Sequence, residues 1–263
     1  MVEAILFDLA YTLLNYGDLQ ARDLFEKGAR DSYSYLNGLH THVPSYRAYL
    51  QANLRAYRRG YIWANIRRRD FNAMTIMNRV LKGFDIELHP FEIRALAWRW
   101  YRPVLKQTSV DAKTPATLRR LADAGIKMAI VSNTCVPGHC LDRHLESEHL
   151  LAYFPVRVYS SETTMRKPHP EIFHLALRQL NVAPSQAVFV GDLPAKDIRG
   201  ARRAGMQSVW KAPADHVLRK KNHHGADFVV RNIYELPTTL ASILPHGLAL
   251  AQVCPAITRT GCW

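Results

Sequence analysis

The chain of 263 residues is short of cysteine, of long apolar runs and of acidic side chains relative to basic ones. Four cysteines, Cys135, Cys140, Cys254 and Cys262, are too few and too irregularly spaced for a disulfide framework or a zinc site. No apolar stretch approaches the roughly 20 residues that a membrane-spanning helix needs, and no basic segment followed by a long apolar one opens the chain. These absences predict a cytoplasmic protein with no membrane partner. Asp and Glu number 22 against 35 Lys and Arg, a net charge of +13. The excess is spread over Arg67-Arg68-Arg69, Arg119-Arg120, Arg202-Arg203 and Arg219-Lys220-Lys221, in different predicted elements and beside no nucleic-acid module. No nucleic-acid partner is therefore expected, whereas a basic surface does steer phosphorylated metabolites. With 48% hydrophobic residues the chain is not disordered and can build one large domain or two modest ones.

What is there begins with Ile5 to Leu14, ILFDLAYTLL, which reads as a buried parallel strand carrying Asp8 to a sharp turn. A carboxylate in that position is costly unless something binds it. Three later segments can do so, each placed at the end of a short apolar strand: Met128 to Thr134 (MAIVSNT), Arg166-Lys167-Pro168, and Val188 to Asp197 (VFVGDLPAKD). Ligands of open parallel sheets gather at those strand ends. A hydroxyl, an ammonium group and paired carboxylates converging on Asp8 make a site for a phosphoryl group and a divalent cation, with Asp8 as nucleophile. Two residues after Asp8, where a second carboxylate would be the obvious acid/base partner, stands Ala10.

In this order and spacing the four segments resemble the four motifs of the haloacid dehalogenase (HAD) superfamily. The resemblance covers residues 1 to 15 and 107 to 240 by motif. It implies an α/β fold with a doubly wound, Rossmann-type parallel sheet, and Mg²⁺-dependent hydrolysis of a small phosphorylated metabolite through a phosphorylated Asp8. Within that scheme Ser132 and the backbone N–H of Asn133 hold phosphate oxygens, and Lys167 neutralises Asp8 and the phosphate together. Asp8, the Ala10 carbonyl, Asp192 and Asp197 serve the metal, Asp192 directly and Asp197 through a water or by orienting Lys167. Thr12 reads as a structural residue fixing its turn, Asp197 alternatively as the N-cap of a helix over Ile198 to Ala204, and His169 as a helix-start residue.

Between Asn15 and about Lys106 the strand signal gives way to helical periodicity over Asp18 to Leu39, Pro44 to Arg69, Asp70 to Phe84 and Pro90 to Leu105. Pro44 and Pro90 suit first turns, and Gly38 and Gly83 suit helix ends. The resembled family carries a helical cap at this point, one that closes over the site and selects substrate. The domain division expected is thus a core of residues 1–15 and 107–245, a cap of 16–106, and a tail of 246–263 with no assigned role. Tyr and Arg alternating along the second stretch read as packing with a solvated rim, and the aromatic-rich cap could pair with a second copy in a homodimer. Beyond it, helices are expected at Thr114 to Ala124, Pro170 to Leu180 and Ile198 to Ala204, and strands at Lys127 to Ser132, Ala187 to Gly191, Ser208 to Trp210 and Phe228 to Val230.

Ala10 departs from the phosphatase branch of the family, where an Asp at that position protonates the leaving alkoxide and then activates water. Three readings stay open. One is a phosphatase that is slow, favours good leaving groups, or borrows an acid/base from the cap, with Asp18, Asp23, Glu26 and His40 as candidates. A second resembles the phosphonoacetaldehyde hydrolases, which carry Ala here and use a cap lysine; Lys27 and Lys82 lie well inside the cap. The third is a phosphate-binding or regulatory protein with little turnover.

Overall fold

A computed structural model describes residues 1–17, 20–40, 42–213 and 224–244. The tail 246–263, Asp18, and the basic run Arg219-Lys220-Lys221 lie outside the described residues.

The first strand, β1 (Ala4–Phe7), is followed by four helices: α1 (Ala21–Leu39), α2 (Tyr46–Arg67), α3 (Ala73–Lys82) and α4 (Pro90–Leu105). Alternation then runs α5 (Thr114–Asp123), β2 (Lys127–Ser132), α6 (Gly138–Ser147), β3 (Val156–Tyr159), α7 (Pro170–Leu180), β4 (Ala187–Gly191), α8 (Arg199–Arg203), β5 (Gln207–Lys211), β6 (Phe228–Val230) and α9 (Leu236–Thr239). The six strands form one parallel sheet in the order β3-β2-β1-β4-β5-β6. β1 sits between β2 and β4, with Phe7 opposite Ile130 and Val190, so the chain direction across the sheet reverses at β1. That reversal opens the crevice at the strands' carboxyl ends in which doubly wound folds bind ligands.

Local chemistry sets the helix ends. Pro90 occupies the first turn of α4 behind a His89/Glu92 capping box, and His169 caps α7 by accepting from the Glu171 N–H at 3.2 Å. Two proposed markers shift: α2 starts at Tyr46 because Ser45 caps it, which leaves Pro44 outside, and Gly38 lies within α1, which ends at His40. The expected helix over Ile198 to Ala204 is instead a π-helical turn, Pro194–Ile198, leading into the short α8. Three elements were not anticipated, α6, β3 and the short α9. In α6 the buried positions Cys140, Leu141, His144 and Leu145 have helical spacing, and in β3 Val156, Val158 and Tyr159 are the β-formers of a short segment bounded by Pro155.

One face of β1, Ile5 and Phe7, belongs to an apolar cluster that continues without a break into Leu36, Tyr49, Met77, Leu96 and Trp100 of the helices; the other face, Ala4 and Leu6, packs against α7. Gly28 lets α1 lie directly on α4, since a Cβ there would meet the Trp100 carbonyl oxygen at 2.3 Å. The two crossings between sheet and helical insertion run side by side, joined by reciprocal Asn15–Ser109 hydrogen bonds of 2.8 and 2.9 Å. Beside them Tyr101 of α4 contacts His144 Nδ1 of α6 at 2.7 Å, and Thr108 contacts Nε2 at 2.9 Å. Burial lowers the His144 pKa to about 4, so this junction is built around a neutral imidazole.

Candidate active site

Each of the four sequence segments delivers its polar side chain to the carboxyl edge of the sheet. Asp8 follows β1 and Asp192 follows β4, while Ser132 ends β2. Lys167 arrives on the loop before α7 and is almost fully buried; its Nζ lies 2.8 Å from Asp8 Oδ1 and 2.8 Å from Asp197 Oδ1. Burial works against the ammonium, but the two carboxylates outweigh it and hold the Lys167 pKa above the ordinary lysine value. Asp197, wholly buried, is inside the π-helical turn and is not the N-cap of α8; its Oδ2 accepts the Leu193 N–H at 2.8 Å. That fold-back explains Gly191, because a Cβ there would stand 2.5 to 2.6 Å from the Asp197 side chain. Thr12, expected to bond backbone, has the Asp192 carboxylate as its partner at 3.4 Å.

Asn133 has a second contribution, through its side chain, besides the backbone N–H expected of it. Its side chain accepts the Lys167 N–H at 2.8 Å and donates to the Lys167 carbonyl at 2.9 Å, clamping the segment that presents the ammonium. Beyond Ala10, Lys211 donates to the Tyr11 carbonyl at 2.6 Å and secures the turn; burial lowers its pKa, against the pull of Asp192.

Asp8, Asp192 and Asp197 each offer an oxygen within 4.8 Å of the others. Three carboxylates against the single buried ammonium leave uncompensated negative charge, and it shows in Asp192, whose pKa is pushed up to about 7 by burial and then by Asp8 and Asp197. Hard oxygen donors with an excess of negative charge suit a small divalent cation such as Mg²⁺, so the residues present fit that ion.

Above this row opens a cleft of about 600 Å³ between sheet edge and helices, lined on the core side by Ala10, Ser132, Asn133 and Arg166. Five tyrosines, two phenylalanines and one tryptophan border it, with Phe25, Tyr57 and Trp100 of α1, α2 and α4 on the opposite, helical wall. Asp70, in the link between α2 and α3, is the one carboxylate among the described lining residues, and it is engaged by Ser160 Oγ at 2.6 Å and Arg166 at 2.9 Å. Nothing local in the sequence flags Asp70, since its partners lie 90 and 96 positions away. Asp23, Glu26 and His40 do not border the cleft, Glu26 pairing with Arg22 on the surface; Lys27 and Lys82 are exposed and do not border it either. Cys135 borders it with Tyr61 Oη at 3.3 Å, whereas Cys140 is buried in α6.

A doubly wound parallel sheet that gathers a carboxylate row and a buried lysine at its carboxyl edge, beneath an inserted set of helices, defines a hydrolase of the α/β class. Residues 2–205 match the haloacid dehalogenase-like hydrolase family, and the chain belongs to it. It is 34% identical over 121 residues to a phosphoserine phosphatase of Thermus thermophilus, covering 46% of this chain and 47% of that protein. It is 43% identical over 94 residues to a glyceraldehyde 3-phosphate phosphatase of Methanopyrus kandleri, covering 35% of this chain and 39% of the relative. The match thus spans under half the length of either relative. The crystal structure of a HAD phosphatase from Thermococcus onnurineus superimposes with a TM-score of 0.59 at 27% identity, covering 91% of this chain and 98% of the other.

Proposed function

We propose that the chain is an Mg²⁺-dependent phosphatase of a small phosphorylated metabolite, acting through a phosphorylated Asp8. The observation that carries the reading is the Asp8–Lys167–Asp197 row, with two 2.8 Å contacts in a buried setting and Asp192 beside it. Lys167 holds the Asp8 carboxylate in one position at 2.8 Å, which is what a carboxylate nucleophile needs, while Asp197 and the Asn133 clamp hold Lys167 in place. Ser132 and the Asn133 N–H receive the phosphoryl oxygens. Asp8, Asp192 and the Ala10 carbonyl hold the metal, with Asp197 acting through Lys167. When bound, Mg²⁺ supplies positive charge to the transferring phosphoryl group.

Within this reading residues 16–106 are a cap over a core of 1–15 and 107–245, tied to it by the Asp70–Arg166 bridge, while the Asn15–Ser109 pair holds the two core ends of the connections side by side. Names of the relatives above support the activity class and fix no substrate. The test is release of inorganic phosphate from a panel of phosphomonoesters and an acyl phosphate, with Mg²⁺ and with chelator. Mg²⁺-dependent release that disappears in Asp8→Asn is the expected result; release that survives the substitution would remove Asp8 from its role.

Ala10 also supports a second reading, a phosphate-binding protein that turns over little. It predicts phosphate binding in the presence of Mg²⁺ without release from any ester or acyl phosphate.

A further inference from the structure

Two independent features of the cleft bear on which bond is cleaved. The first is chemical. Ala10 supplies no proton donor, and apart from the carboxylate row the cleft's single described carboxylate, Asp70, is already committed to Arg166 and Ser160; of the other proton-bearing groups on the lining, Lys196, Cys135 and the tyrosines, burial makes Cys135, Tyr16, Tyr57, Tyr61 and Tyr101 weaker acids than usual. A leaving group that departs as an aliphatic alkoxide resembles hydroxide, whose conjugate acid has a pKa of about 15.7, and needs a proton as the bond breaks. A phenolate, whose parent has a pKa of about 10, does not.

The second feature is shape. The wall facing Ala10 and Ser132 carries aromatic rings, and the tyrosines among them are neutral: burial holds Tyr57 and Tyr101 well above the ordinary phenol value and pushes Tyr16 up to about 12. Phe25, Tyr57 and Trp100 pack against one another with ring centroids 4.7 to 5.7 Å apart, so the wall is a rigid apolar surface. A polyhydroxylated body would lose hydrogen bonds to water against it, whereas a planar ring would bury apolar area.

We propose that the substrate class is phosphomonoesters of aromatic hydroxyl compounds, with the ring against the Phe25–Tyr57–Trp100 wall and the phosphoryl group over Asp8. The proposal rests on the phosphatase reading. In the first step an Asp8 carboxylate oxygen bonds to phosphorus and the bond from phosphorus to the aryl oxygen breaks. The phenolate leaves with the electron pair and takes a proton from solvent. Water then attacks the phosphorus of the aspartyl-phosphate, the bond to Asp8 breaks, and phosphate departs with the water's proton released to solvent, restoring the carboxylate.

The experiment compares kcat/KM for phenyl phosphate, benzyl phosphate and glycerol phosphate on the full chain with Mg²⁺, with acetyl phosphate as a leaving-group control. A second readout is calorimetric binding of phenylphosphonate against methylphosphonate, neither of which can be hydrolysed by this route. The proposal expects phenyl phosphate to exceed benzyl phosphate by about 100-fold, the lower end of what a missing general acid costs, and glycerol phosphate by more. It expects phenylphosphonate to bind at least about tenfold more tightly than methylphosphonate. Equal rates for phenyl and glycerol phosphates, or equal binding of the two phosphonates, would overturn the aromatic assignment and leave the phosphatase reading standing. Failure of all four substrates, acetyl phosphate included, would overturn the phosphatase reading and this inference with it.

Discussion

The floor and the roof of the cleft are built on opposite principles. The floor is charge in a buried place: three carboxylates and one lysine at the ends of β1 and β4 and before α7, fixed by contacts of 2.8 Å. The roof, from α1, α2 and α4, is ring packing with phenols held neutral. Charge in low dielectric demands one geometry, because each unpaired group is costly, and so it leaves a fixed spacing in the chain. Apolar packing accepts many solutions of similar volume and leaves only a period. On the proposals above, the floor sets the reaction class and the roof the choice of substrate.

The comparison breaks most completely at Asp8. Asp8→Asn removes the nucleophile while leaving Lys167 its Asp197 partner, so phosphate release should vanish with circular dichroism unchanged; a folded variant that still turns over would show the floor is not the reacting part. Next in size is Lys167→Met, which strands Asp8 and Asp197 in a buried site. It should cost about 3–5 kcal/mol in urea unfolding, and a loss below about 1 kcal/mol would mean that the row is not held by charge.

The boundary between floor and roof gives a smaller effect. Asp70→Ala frees Arg166 and Ser160 and should cost about 1–3 kcal/mol, measured the same way, with KM raised more than kcat is lowered. At the His144 junction the folded-state pKa of about 4 lies below the ordinary 6.5, so the unfolded chain binds more protons between those values. The stability from a neutral His144 is complete above about pH 6.5 and is lost as pH falls toward 4, a loss of about 1–2 kcal/mol by pH 5. His144→Gln should flatten that part of the urea-midpoint profile, and an unchanged slope would assign it to other groups. The smallest effect sharpens the comparison. Ala10→Asp should raise kcat/KM for aliphatic phosphomonoesters, which reads the first step, at least about tenfold while changing that of aryl esters less; no gain would place the missing acid/base elsewhere.

What the sequence made legible follows the same division. Asp8, Ser132 and Asp192 meet at one sheet edge because strand ends are readable from short apolar runs, and β2, β4 and α7 have the bounds that the pattern implies; Lys167, expected at a strand end, instead arrives on the loop before α7, eight residues past β3, and Asp197 from the π-helical turn. α6 and β3 went unread: the first starts beside Pro137-Gly138, where a break is the usual signal, and the second is four residues long with Arg157 inside it. The role of Asn133 as a clamp was hidden because its partner is 34 residues away, and the partners of Asp70 lie farther still. The cap acids offered as substitutes for position 10 were chosen by charge alone. Asp23 and Glu26 do not border the cleft because α1 turns Leu24 and Phe25 to it instead, His40 lies past the end of that helix and does not border it either, and Asp18 lies outside the described residues.

The most direct measurement is acid quenching of the protein with Mg²⁺ and an acyl or aryl phosphate, followed by mass spectrometry of the peptide containing Asp8. Without a base at position 10 the second step is the slower one, so the account predicts one phosphoryl group accumulating on Asp8, and less of it in Ala10→Asp. Phosphate release with the peptide unmodified, or with the label on another residue, would contradict it.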